Sequence, residues 1–149
     1  MEHDIATIIN FSSNDYRFLD ECIKKVRPFS KQIIISVCDH FFNGDVESRE
    51  ILNRSYFEHP DCLFVEYRFG KPYGIHPQVS ADESWTQYWH STSRYVAYHF
   101  VKDAEYVLFL DADEICDTKR FIDWLELTPY RFFTAFSFPG YFYFLRPEY

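Results

Sequence analysis

Two aspartates near the end of the chain could do chemistry. An apolar run, residues 106–110 (YVLFL), ends directly in Asp111-Ala112-Asp113-Glu114. On an extended segment, residues i and i+2 point to the same side. Two carboxylates on one side repel each other unless water or a cation lies between them. A hard divalent ion such as Mg²⁺ or Mn²⁺ prefers oxygen ligands and keeps positions open for substrate phosphates. Asp111 and Asp113 are therefore the candidate metal ligands, and the ion would neutralise charge developing on a phosphate leaving group. The simpler reading is a solvated loop that also caps the next helix.

Other polar residues sit at comparable places. Ser12, Ser13 and Asn14 follow the run Ile5–Phe11, and Asp39 follows the run 32–38. Such runs, short, β-branched and apolar on both faces, read as buried parallel strands. Helical patterns separate them, as in a βαβ chain. The expected architecture is a three-layer α/β/α domain with a mainly parallel central sheet. Ligands in such sheets bind outside the carboxyl ends of the strands, where the strand order reverses.

Ser12 to Asn14 offer helix-capping chemistry, and Tyr16, Leu19, Ile23 and Val26 follow at helical spacing until Pro28 stops the pattern. Asn43-Gly44-Asp45 reads as a turn, residues 46–57 as a weaker helix, and Leu63–Tyr67 as a short strand near a sheet edge. Residues 80–83 match a capping box. Trp85, Trp89, Thr92, Val96 and His99 would line one face of the helix that follows. Asp117 can cap a short helix carrying Phe121, Ile122 and Leu125. Residues 132–138 and 141–145 read as further strands, with Pro139-Gly140 as a turn between them.

Composition bounds the function. The 149 residues carry a net charge of −8, which argues against nonspecific nucleic-acid binding. An acidic chain can still bind an anionic nucleotide through a bridging cation. Cys22, Cys38, Cys62 and Cys116 form no C-x-x-C pair, which gives zinc little support. Three of them lie in or beside apolar segments and read as reduced core residues, which suits the cytoplasm. The sequence shows no signal peptide and no membrane span, and it leaves peripheral membrane contact open. There is no G-x-G-x-x-G, G-K-[ST] or G-x-S-x-G motif. His40, His76 and His90 could each touch a ligand, or simply serve as surface or turn residues.

The segment from Ser93-Arg94 through a helical stretch to Glu105-Tyr-Val-Leu-Phe-Leu-Asp-Ala-Asp-Glu114 resembles family 2 glycosyltransferases and their GT-A relatives. Ile8 to Asn14 with Leu19 to Cys22, and Val37-Cys38-Asp39, resemble two further motifs of that family in the same order. The resemblance covers residues 5 to 115. It implies a GT-A type fold and transfer of a sugar from a nucleotide diphosphate, a UDP-sugar favoured, to a saccharide or other hydroxyl acceptor. It implies that Asp39 hydrogen-bonds the donor's base, and that Phe11, Ser12, Ser13 and Asn14 line the nucleotide pocket. Arg94 would lie near the base or the diphosphate. Asp111, Ala112 and Asp113 would hold Mn²⁺ or Mg²⁺, the ribose and the diphosphate, with Glu114 in the family's third acidic place. The D-x-D-E-I string also resembles N-acetylglucosaminyltransferases acting on the N-glycan core. Departures are Phe11 for proline, Ser13 for tyrosine and Tyr95 for asparagine.

Family domains run well past this length, so the chain is expected to be cut short. After Glu114 the carboxylates are Asp117, Asp123, Glu126 and Glu148, and none is assigned as general base. The aromatic tail reads as buried strand faces or as a sugar platform. Two alternatives stand beside glycosyl transfer. One is a non-catalytic remnant or interaction module of the same fold. The other is a nucleotidyltransferase, which usually needs a glycine-rich loop after its first strand.

Overall fold

The computed structural model describes residues 4–70, 85–128, 135–138 and 140. Four strands form one sheet: β1 (Ile5–Phe11), β2 (Ser30–Cys38), β3 (Leu63–Tyr67) and β4 (Tyr106–Asp111). Their order is β3-β2-β1-β4, and every pairing is parallel. Parallel neighbours need crossovers, and helices supply them: α1 (Tyr16–Val26), α2 (Arg49–Glu58) and α3 (Trp85–Tyr98), with α4 (Thr118–Leu127) following β4. The chain steps outward from β1 to β3, then returns to the other side of β1 as β4. The strand order therefore reverses between β1 and β4.

Side-chain alternation divides the core. Ile9, Phe11, Ile35 and Val37 face one way and pack with Leu19 and Ile23 of α1, Leu52 of α2 and Leu125 of α4. Ile8 and Ile34 face the other way and pack with Ala97 of α3. Helices thus flank the sheet on both sides, an arrangement that fits a three-layer α/β/α fold. β3 takes the edge position expected of it.

Several elements differ from the sequence reading. β2 begins at Ser30, two residues before the expected 32, because a register shift between Ile5 and Ala6 lets Ser30 pair with Ile5 and Gln32 with Ala6. α2 begins at Arg49, since Val46 is held in an antiparallel bridge with His40. On α3 the buried line is Trp89, Thr92, Ser93 and Ala97, and His99 lies exposed beyond the helix end. Small side chains at Ser93 and Ala97 let α3 approach the sheet closely, and Ser36 Oγ donates to the Ser93 carbonyl at 2.8 Å.

The capping expected at α1 is not made by serine. Neither Ser12 nor Asp15 makes a side-chain cap. Ser12 Oγ donates to Asp15 Oδ2 at 3.0 Å, and Ser13 gives both its N–H and its hydroxyl to Glu47 Oε2. Asp117 does cap α4, accepting from Arg120 N at 3.2 Å. The capping box at 80–83, His76, the strand at 141–145 and Pro139 lie outside the described residues, as do residues 132–134. Residues 135–138 are not in a strand.

All four cysteines are free. Burial pushes the Cys22 thiol up to about 12, reinforced by Cys116, Glu114, Asp113 and Asp111. Among the described residues no helix is long and apolar enough to cross a membrane.

Leu19 is fully buried where α1 meets the sheet. Leu19→Ala is expected to destabilise the fold by about 2–5 kcal/mol. Urea denaturation would show this as a lower midpoint at an unchanged slope.

Candidate active site at the carboxyl edge of the sheet

A cavity of about 250 Å³ opens at the carboxyl ends of β1, β2 and β4. Its walls come from Asn10, Phe11, Ser12 and Asp15 on one side, Asp111 and Asp113 on another, and Cys38, His40, Phe41, Phe42 and Glu47 on a third. It therefore adjoins the place where the strand order reverses, the usual ligand position of open α/β sheets.

Strand register sets the acidic corner. Asn10 of β1 lies opposite Asp111 of β4, and both side chains belong to the face that α3 covers. Asn10 Nδ2 donates to Asp111 Oδ1 at 3.2 Å, while Asn10 Oδ1 accepts from the buried Ser93 hydroxyl at 2.8 Å. Helix α3 adds His90 and Arg94, one turn apart. His90 Nε2 lies 3.1 Å from both Asp111 oxygens, and Arg94 Nη2 lies 3.7 Å from Oδ1. Among the described residues, the buried Arg94 Nε has no hydrogen-bond partner.

The alternation expected to align Asp111 with Asp113 stops at Asp111, where the strand ends. Glu114 N donates to Asp111 O at 2.9 Å and closes a turn, and Ala112 N is tied to Asn10 O at 2.9 Å. The turn carries exposed Asp113 to the cavity wall by a different route. Glu114 bends back so that its Oε2 accepts from Asp111 N at 2.8 Å, on the edge of β4 away from β1.

The residues singled out from sequence occupy distinct places. Phe11, Ser12, Asp111 and Asp113 line the cavity. Ser13 and Ala112 are buried behind it, and Asn14 is exposed. Asp39 does not line it. Its carboxylate accepts from Phe69 N at 2.7 Å and lies 2.8 Å from His40 Nδ1. Burial is the strongest single influence on Asp39 and pulls its pKa upward. The Phe69 N–H and His40 outweigh that influence, and the net position is below the ordinary carboxylate value. Arg94 reaches the site through Asp111.

Asp15 and Glu47 complete the acidic lining, and the motifs named neither. Asp15 directly follows the Ser-Ser-Asn segment, so its position alone could have suggested it. Glu47 comes from the irregular loop between β2 and α2. Its burial depends on Ser13, which is 34 positions away, so no local signal could have found it. A lone amide in an apolar strand, Asn10 in IATIINF, was the available clue to the pairing with Asp111.

The corner is electrostatically unfavourable by itself. Burial raises the Asp15 carboxyl above its ordinary value, the Ser12 hydroxyl lowers it, and Asp113 and Asp111 raise it further. Among the described residues no three His, Cys, Asp or Glu side chains converge as a metal cage. A hard cation that binds through two carboxylates and a substrate phosphate does not need such a cage.

Comparison with known proteins yields no match to a family model, a curated protein or a solved structure. Fold and cavity alone define the class: an α/β chain with an all-parallel four-stranded sheet and an acidic cavity at its carboxyl edge.

Asp15 gives a stability test. A carboxyl whose folded pKa is raised resists ionisation in the fold. It therefore weakens the fold above that raised pKa and not below about 3.8, its ordinary value. Asp15→Asn is expected to melt at a higher temperature than the parent at pH 7, with the difference shrinking towards pH 3. Thermal melts across that range would check both the sign and the window.

Proposed function

We propose that this cavity is the donor site of a GT-A type glycosyltransferase, binding a nucleotide-diphosphate sugar for transfer to an acceptor hydroxyl. One observation carries the reading. β4 ends at the reversal of strand order in Asp111-Ala112-Asp113, and both aspartates line the cavity there. The ordered resemblance across residues 5 to 115 points the same way and favours a UDP-sugar.

The donor set fits a hard divalent cation. Asp111 and Asp113 supply carboxylate oxygens, and the neighbouring Asp15 adds negative charge that a cation would relieve. Bound there, Mn²⁺ or Mg²⁺ would neutralise charge developing on the diphosphate as the glycosidic bond to it breaks. The chain's own groups do the rest. Phe11, Phe41 and Phe42 give the cavity apolar walls beside its acidic corner, as a site holding a flat base next to a charged group requires. Ser12 presents a hydroxyl on the wall, and Arg94 is placed for an anionic group. The Asn10–Ser93 pair fixes the orientation of the Asp111 carboxylate.

Thermal melts with UDP, UDP-sugars, GDP and ATP, each with Mn²⁺ or a chelator, test the reading. A ligand at about 100 times its Kd adds roughly 2.7 kcal/mol. A Mn²⁺-dependent rise with UDP or a UDP-sugar is expected, and it should be lost in Asp111→Asn and Asp113→Asn. A rise with ATP alone would identify a nucleoside triphosphate site instead. No shift with any ligand would reduce the aspartates to a structural turn.

A further inference from the structure

We infer that His90 is a displaceable internal partner of Asp111: it holds the carboxylate, would yield it to a cation, and would then donate to the donor's diphosphate. The inference rests on the donor-site reading above and adds a residue and a role to it.

The geometry separates two kinds of Asp111 partner. Asn10 holds Oδ1 from the adjacent strand and is itself held by Ser93, which is fully buried. That chain of contacts lies within the sheet and its packed helix, so it persists whatever else Asp111 binds. His90 differs. Its Nε2 sits at 3.1 Å from both oxygens, and because a carboxylate only accepts, the ring must donate there. Its side chain is one-third exposed, at 34%, so it can rotate without opening the core.

Both oxygens of Asp111 thus face His90, so a hard cation taking those oxygens would have to displace that N–H. The freed imidazole would remain on α3 one turn before Arg94, the other α3 side chain that reaches Asp111. Arg94 is comparably exposed, at 35%, and among the described residues its buried Nε has no hydrogen-bond partner. The two side chains form a ready pair of donors for phosphate oxygens. They also offset the acidic corner at Asp111.

The consequence is a pair of opposite effects. Removing His90 clears the carboxylate for the cation but removes a donor to the phosphate. A merely structural histidine would move both affinities the same way or neither. The test uses the full chain. Free Mn²⁺ is followed by electron paramagnetic resonance without nucleotide, and UDP affinity is measured by calorimetry at saturating Mn²⁺.

In His90→Ala, Mn²⁺ alone should bind tighter and UDP·Mn²⁺ weaker, each on the order of tenfold, the scale of one hydrogen bond to a charged group. His90→Gln retains one N–H donor. It should shift both constants in the same senses by less, and it carries the test if the alanine variant folds poorly. Two constants that fall together, rise together or stay unchanged overturn the inference while leaving the donor site standing. Absence of Mn²⁺ binding by the parent chain would overturn the cation reading itself and this inference with it.

Discussion

The parallel pairing of β1 with β4 is the constraint on which the cavity depends. β1 hydrogen-bonds to β2 on one side and β4 on the other. β4 arrives from the far side after a crossover through α3, and the segments after β1 and β4 lead into α1 and α4, which pack on the same face of the sheet. The Ser12-Ser13 segment turns towards α1, while Asp111-Ala112-Asp113 turns towards α4. The cavity lies against both segments, with Phe11, Ser12 and Asp15 on one and Asp111 and Asp113 on the other. Asn10 opposite Asp111 is the last rung of that ladder and the first residue pair of the site.

The arrangement places charge where the fold does little to neutralise it. Three aspartates and Glu47 share one cavity wall or another, and the corner is stabilised by specific donors instead of bulk water. Ser13 satisfies Glu47, Ser12 satisfies Asp15, and Asn10, His90 and Arg94 satisfy Asp111. Buried or half-buried carboxylates are tolerable only with such partners. The partners are of two sorts. Backbone groups and short side chains come from the sheet and the adjoining turn. The side chains of His90 and Arg94 come from α3 and remain partly exposed.

Much of the fold was legible in the sequence. The four strands announced themselves as short apolar runs bounded by polar residues, and their parallel arrangement followed from the helical patterns between them. β1 and β3 coincide with the expected bounds. The misses have physical reasons. The start of β2 was hidden by a register irregularity that only pairing with Ile5 creates. The buried face of α3 was misjudged because it is built on small residues. Ser93 and Ala97 score poorly in any search for apolar periodicity, yet they let the helix lie close enough to bond Ser36 and Asn10.

The site was legible only where it coincides with strand ends. Ser12, Asp111 and Asp113 could be named because polar residues just after a buried strand emerge at the carboxyl edge of the sheet, and Phe11 was named through the family resemblance. His40 could be singled out beside Asp39, but Glu47 and the Phe41–Phe42 wall come from a loop whose shape is set by contacts within itself and with distant residues. Gly44 adopts φ 95°, Phe41 N donates to Asp45 O at 2.7 Å, and His40 bridges Val46. That closed loop turns Glu47 inward to meet Ser13. Asp39, at its root, becomes a brace, its carboxylate engaged by Phe69 and His40, so its chemistry is directed to holding the loop. A residue following a strand can therefore serve the cavity in two ways, by entering it or by fixing the loop that forms its wall. Strand position does not distinguish them, and hydrogen-bond partners do.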